Sequence, residues 1–232
     1  MNDEARIETA LRHWVDVKRQ QEEKSKAGGK AQQGRRSSVT GGAHLDGLNK
    51  LVVEQIERAG MTGLTFRANK KATVPGYYRP SKAWDLAVLK DDLPLLVVEY
   101  KSMYGSEGNN LNNRFDEVFG VAEDVRQAME HGLLPQSLLR AYVFVMGMTP
   151  KSTASVKIGK VIGKADPEFT DASYLDRAAI MCRRLHETGL YHMTWAVAVQ
   201  MDPFGWHEPD PRVGWEQFAA AIQQAFSARD GG

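Results

Sequence analysis

With 232 residues, 42% of them apolar and 25% charged, the chain has the composition of a globular domain with a sizeable core, which excludes wholesale disorder. A formal net charge of +1 names no partner by bulk electrostatics, and a single cysteine, Cys182, excludes an internal disulfide framework and points to a reducing compartment. No apolar run approaches a membrane span and MNDEARIETALRHW is unlike a signal peptide, so the expectation is a soluble, cytoplasmic protein without a membrane partner.

Residues 3 to about 24 carry Ile7, Leu11, Trp14 and Val15 at helical spacing. KAGGKAQQGRRSSVTGG then reads as a loop. Between Lys18 and Arg36 lie Lys18, Arg19, Lys24, Lys26, Lys30, Arg35 and Arg36 against Glu22 and Glu23, which leaves this segment at +5 and the rest of the chain at −4. Residues 1–40 are therefore expected to be a helix and a flexible basic arm on a single domain, 1–232. Such an arm suits a polyanion, although a solvated tail has the same charge.

HLDGLNKLVVEQIERAG resumes a helix with Leu48, Leu51, Val52, Gln55 and Ile56 inward and Gly60 as its stop. A short strand is expected at 64–67, then irregular chain around Pro75, Gly76 and Pro80. WDLAVLKDDLPLLVVEYKS predicts strands at 84–90 and 95–101 joined by DDLP. MYGSEGNNLNN reads as a loop ending in Asn113, a good N-cap for a helix carrying Phe115, Val118, Phe119, Ala122, Val125 and Met129. RAYVFVMGM is a strand, SYLDRAAIMCRRLHETG a helix closed by Gly189, YHMTWAVAVQM a strand and VGWEQFAAAIQQAF a helix. Helix, three strands, helix and strand from residue 44 to 148 predict an α/β fold, a central mixed β-sheet flanked by helices. Cys182, within AAIMCRRL, reads as a core residue.

A buried strand such as LLVV should not run into charge without reason. Glu99 and Lys101 are two apart and project from one strand face, and a hairpin brings Asp85 toward Glu99. Carboxylates held together repel unless a cation lies between them, and Mg²⁺ is the usual choice, with the Tyr100 backbone carbonyl as a further ligand. Such a centre suits phosphoryl chemistry, Lys101 neutralising charge that grows on the phosphate. The competing reading is an ion pair at a strand end with Asp85 as a turn residue.

Asp85, Glu99 and Lys101 fit the PD-(D/E)xK nuclease signature, with Trp84 where its proline would stand. VTGGAHLDG (39–47), PGYYRPSKAWD (75–85) and EYKSMYGSEGNNLNNRFDEVFG (99–120) resemble the XhoI-type type II restriction endonucleases, and ASYLDRAAIMCRRL and GLYHMTWAVAV fall in similar places. The resemblance implies the PD-(D/E)xK restriction-endonuclease-like fold. It also implies Mg²⁺-dependent cleavage of double-stranded DNA at a palindrome by a homodimer, beside a protective methyltransferase. The target would be CTCGAG if the family specificity is kept. Asp85 and Glu99 then match the metal ligands and Lys101 the catalytic lysine, while Glu54 stands where related nucleases often place a further acid for a second metal. Glu54 reads equally as a solvated helix charge.

Asn109, Asn110, Asn112, Asn113 and Arg114 are candidates for base recognition, since Asn can read adenine and Arg guanine; their local alternative is turn formation and capping. Arg79 and Lys82 are candidate phosphate clamps, and Arg35 and Arg36 would wrap the duplex. Two further readings stay open, a repair or recombination nuclease of the same fold and a non-cleaving DNA-binding protein. Defined fragments from plasmid DNA separate the first, and binding without cutting in Mg²⁺ separates the second.

Overall fold

The computed structural model describes residues 2–27, 43–105 and 107–227. The basic stretch from residue 28, with Arg35 and Arg36, lies outside the described residues. Helix α1 (Asp3–Ala27) and helix α2 (Asp46–Arg58) lie against each other. The five residues read as the inner face of α2 are its buried ones, and Gly60 follows at φ 94°, a left-handed stop. Strand β1 (Leu64–Ala68) comes next, then a short ribbon of β2 (Thr73–Pro75) and β3 (Ser81–Ala83), where irregular chain was expected.

Strands β4 (Leu86–Lys90) and β5 (Leu93–Met103) form the central hairpin. Its turn is only Asp91–Asp92, both at positive φ (50° and 60°), the two-residue geometry that follows strand twist. Leu93 and Pro94, expected in the turn, belong to the strand instead. Helix α3 (Glu107–Glu130) follows, then β6 (Leu139–Gly147), the short α4 (Pro150–Thr153), α5 (Tyr174–Glu187), β7 (Met193–Met201), β8 (Phe204–His207) and α6 (Trp215–Ser227).

The six-stranded sheet runs β1-β4-β5-β6-β7-β8. Strands β5, β6 and β7 are parallel and the remaining pairs antiparallel, so the sheet is mixed as expected. Alternation divides its side chains between two cores. Leu96, Val98, Tyr100, Val143, Val145, Trp195 and Val197 pack with α1, α2 and α6; Val97, Tyr142, Phe144, Ala196 and Ala198 pack with α3 and α5. Trp14 and Leu11 are wholly buried, so α1 is part of the first core. Cys182 is buried, and burial pushes its thiol well up.

Helix α3 corrects two expectations. It begins at Glu107, so the Asn-rich stretch is helical and Asn113 is no N-cap. Tertiary contacts override the weak helix propensity of Asn: Leu111 is buried in the core, and buried Glu107 accepts from Thr149 Oγ1 at 2.9 Å. An acid in the first turn also suits the helix dipole. Phe119 is 47% exposed, because the buried stripe of Val118, Val121, Ala122, Val125, Ala128 and Met129 turns it outward.

Candidate active site

Asp85 stands one residue before β4, and Leu86 pairs with Val98, so the register sets Asp85 opposite Glu99. Its backbone is held where strand pairing ends. The Asp85 carbonyl accepts from Asn69 N–H at 3.2 Å, and the neighbouring Trp84 N–H donates to the Ala72 carbonyl at 3.0 Å. Asp85 Oδ2 accepts from Tyr100 N–H at 2.7 Å. In an extended strand the N–H and C=O of one residue point to the same side, so the Tyr100 carbonyl is directed there too. Burial, then the Glu99 charge, push the Asp85 carboxyl up to about 6, against the opposing effects of the Tyr100 N–H, Lys101 and Lys82.

Glu99 is 5% exposed and leaves β5 on the α3 and α5 face, beside Tyr142 of β6. Its two oxygens are taken by two ammonium groups, Lys101 Nζ at 2.5 Å and Lys82 Nζ at 2.8 Å. Lys82 comes from the β3 ribbon, where its Nζ lies 5.1 Å from the Trp84 ring centre and donates to the Ala83 carbonyl at 2.6 Å. Lys101 retains 25% side-chain exposure. Two carboxylates therefore meet two lysines at the point where β4 starts and β5 runs on paired only with β6.

A hard cation fits this donor set. Asp85 is a buried carboxylate whose ionisation is opposed by burial and by Glu99, and Mg²⁺ characteristically takes one or two carboxylates and keeps several waters. Among the described residues no group of three or more His, Cys, Asp or Glu side chains is arranged to hold a metal, so a cation here would rest on two carboxylates and backbone oxygen.

The other candidates fall unevenly around this centre. Glu54 faces α1, its Oε2 3.3 Å from Arg6 Nε and its Oε1 3.9 Å from Lys50 Nζ. On α2 it is instead Asp46 and Asn49 that line the small recess containing Asp85, Asn69 and Tyr100. Asn49 Oδ1 accepts from the Tyr100 hydroxyl at 3.4 Å. Arg79 Nε binds Oδ2 of buried Asp124 at 2.8 Å, while Oδ1 of the same carboxylate accepts from Tyr77 and Tyr78 N–H at 3.0 and 2.8 Å. Arg79 thus braces the loop before Lys82. Asn112 and Asn113 are exposed on α3, and Arg114 pairs with Glu117 one turn on. The side chain of Asn109 lies outside the described residues.

Sequence reading missed Asp46, Asn49 and His44. His44 Nε2 lies 3.1 Å from Ser102 Oγ, and burial, then the Lys18 and His13 charges, lower its pKa to about 4. The available signal was spacing: 46 and 49 share one face of the first turn of α2, at the end of the helix nearest the site.

The family described as restriction endonuclease XhoI matches residues 24–203. The type II restriction enzyme XhoI of Xanthomonas vasicola is 34% identical over 161 residues, covering 67% of this chain and 65% of the relative, just under two thirds of its length. The type II restriction enzyme BstVI of Geobacillus stearothermophilus is 34% identical over 160 residues, 66% of this chain and 71% of the relative. The type II restriction enzyme AbrI of Azospirillum brasilense is 34% identical over 132 residues, 56% and 59% of the two chains. No solved structure matches the chain.

Proposed function

The chain belongs to the XhoI restriction endonuclease family, and from that premise we propose that it is a type II site-specific deoxyribonuclease hydrolysing double-stranded DNA with Mg²⁺. The observation that carries this reading is the meeting of Asp85, Glu99 and Lys101 at the open end of the β4–β5 pair. A binding protein has no use for carboxylates facing a phosphate.

Asp85, Glu99 and the Tyr100 carbonyl would hold the cation, which when bound polarises the scissile phosphate and lowers the pKa of the attacking water. The Tyr100 N–H fixes the orientation of Asp85. Lys101, partly exposed beside Glu99, neutralises charge growing on the phosphate in the transition state. Lys82, also on Glu99, holds that carboxylate in place. The leaving group is the 3′ oxygen, giving 5′-phosphate and 3′-hydroxyl ends. Asn110, Asn112, Asn113 and Arg114 present the first turns of α3 for base contacts, with Asn109 in the same stretch. Arg79, Arg35 and Arg36 serve backbone phosphates, and Glu54 is the weaker candidate for a second cation because Arg6 occupies it. The target is a palindrome, CTCGAG if the family specificity is kept. A homodimer matches that symmetry, and a cognate methyltransferase protects host sites.

Incubation of unmethylated plasmid DNA with the protein tests this directly. Discrete fragments are expected with Mg²⁺ and none with EDTA or with Lys101→Ala. DNA retarded on a gel but uncut in Mg²⁺ would overturn the nuclease reading in favour of a binding protein, and a smear in favour of a nuclease that reads DNA structure.

A further inference from the structure

Between β6 and α5 the chain makes a long excursion whose feet are fixed and whose tip is bare. At the first foot Ser155 bridges Ser173, its Oγ donates to Asp171 Oδ1 at 3.4 Å, and the Val156 carbonyl accepts from Arg177 Nη2 at 2.7 Å. At the second, Asp166 caps the turn Pro167–Phe169 and pairs with Arg184 at 2.6 Å. Between the feet runs KIGKVIGK, residues 157–164. Lys157, Lys160 and Lys164 are exposed, and no acidic residue occurs between Pro150 and Ala165. Val161 is 54% exposed and Ile162 108%, as bare as in an extended peptide. Gly159 and Gly163, the latter at φ 92°, flank this apolar tip.

The excursion leaves the same end of the sheet as the active site. Strands β5 and β6 are parallel with Met103 beside Met146, so the chain after β6 departs next to the chain after Lys101. Thr149 binds Glu107, and a Cβ on Gly108 would lie 3.0 Å from the Tyr174 hydroxyl, so the feet adjoin the first turn of α3. A basic, apolar-tipped projection beside a phosphodiester site has the chemistry of a DNA-gripping element. Lysines neutralise phosphates, and aliphatic side chains enter grooves and wedge base steps.

We propose that residues 157–164 form a finger that holds duplex DNA beside the cleavage site, with Lys157, Lys160 and Lys164 on backbone phosphates and Ile162 in a groove. This rests on the nuclease reading above, and the experiment separates the two. Binding of the full chain to a short CTCGAG duplex is followed by fluorescence anisotropy in EDTA from about 50 to about 200 mM salt. Replacing all three lysines by alanine is expected to reduce the slope of log K against log salt by about 2–3, since each phosphate contact contributes about 0.9. Ile162→Ala is expected to weaken binding by the same factor at every salt concentration and leave the slope intact. Both variants should melt with the wild type, because these side chains are solvent-exposed. A wild-type chain that binds and cuts, with an unchanged slope in the triple variant, would overturn the finger alone. A change of oligomeric state in Ile162→Ala with that unchanged slope would assign the tip to contact between copies. A wild type that neither binds nor cuts duplex DNA would sink both proposals.

Discussion

Asp124 on α3 is 1% exposed and organises the loop that leads to Lys82 and Asp85. One oxygen accepts the Tyr77 and Tyr78 N–H groups and the other the Arg79 guanidinium. Asp124→Ala removes all three bonds. Arg79 is 41% exposed and recovers water, so its share is small. The two N–H groups lose a charged acceptor, and hydrogen bonds of that kind are worth about 1.5–3 kcal/mol each. The expected loss is about 3–5 kcal/mol, the range for breaking a buried charge network. For a domain of this size that lowers Tm by roughly 6–20 °C. Asp124→Asn keeps the oxygen that serves both N–H groups and should lose less than half as much. Gly76→Ala should resemble the severe variant, because its Cβ would lie 2.7 Å from the Arg79 carbonyl and 2.8 Å from Asp124 Oδ2. Thermal unfolding by circular dichroism reads all three. A fall of under about 2 °C in Asp124→Ala would refute the hub, being less than one ordinary hydrogen bond.

Three more expectations follow from the geometry. Lys82→Ala leaves Glu99 with one of its two ammonium partners, so kcat should fall at least about tenfold, the loss expected of a charge-assisted contact, with KM for DNA little changed; a rise in KM alone would return Lys82 to a phosphate clamp. His44, lowered to about 4 against an unfolded value of about 6.5, binds fewer protons folded than unfolded between those limits, so stability should drop as pH falls from about 6.5 to about 4. Urea unfolding of His44→Gln should show a shallower decline, and an identical pH profile would reject the assignment. Gly147→Ala would set a Cβ 2.0 Å from Tyr104 Cδ2 and should destabilise by about 1–3 kcal/mol through overpacking. Tyr104→Ala should relieve that clash, and strict additivity in the double variant would disprove it.

Much of this was legible where the signal was local. The continuous apolar run of β5, the helical stripe of α2 and the two-residue separation of Glu99 and Lys101 each depend on neighbours a few positions apart, and each forms as its pattern predicts. The ribbon β2–β3 was not legible, because three-residue strands carry no measurable period and Pro75 and Pro80 read as breakers. The helical Asn-rich stretch was hidden for another reason. Asn favours turns in isolation, and what extends α3 back to Glu107 is a bond to Thr149, 42 residues later. The hub at Asp124 is equally non-local, since nothing in its own helix announces partners at Tyr77, Tyr78 and Arg79.

Lys82 shows how such non-local contacts bear on chemistry. Read along the sequence it is a cation at the edge of a proline-bounded loop, suited to a phosphate. Folded, the ribbon and the Asp124 hub deliver its ammonium to Glu99, 2.8 Å away and 16% exposed. The continuous apolar strand can therefore end in a buried carboxylate, because two lysines satisfy both of its oxygens. Across the register, Asp85 has the Tyr100 N–H but no such pair, and its carboxyl is pushed up to about 6. The asymmetry makes Asp85 the group whose charge most needs a cation and Glu99 the one already compensated. Magnesium titrated into Asp85→Asn should therefore lose more affinity than into Lys82→Ala, measured calorimetrically on DNA-free protein. Equal losses would refute this asymmetry, and a gain of affinity in Lys82→Ala would mean that the two lysines compete with the metal for Glu99 rather than holding it ready.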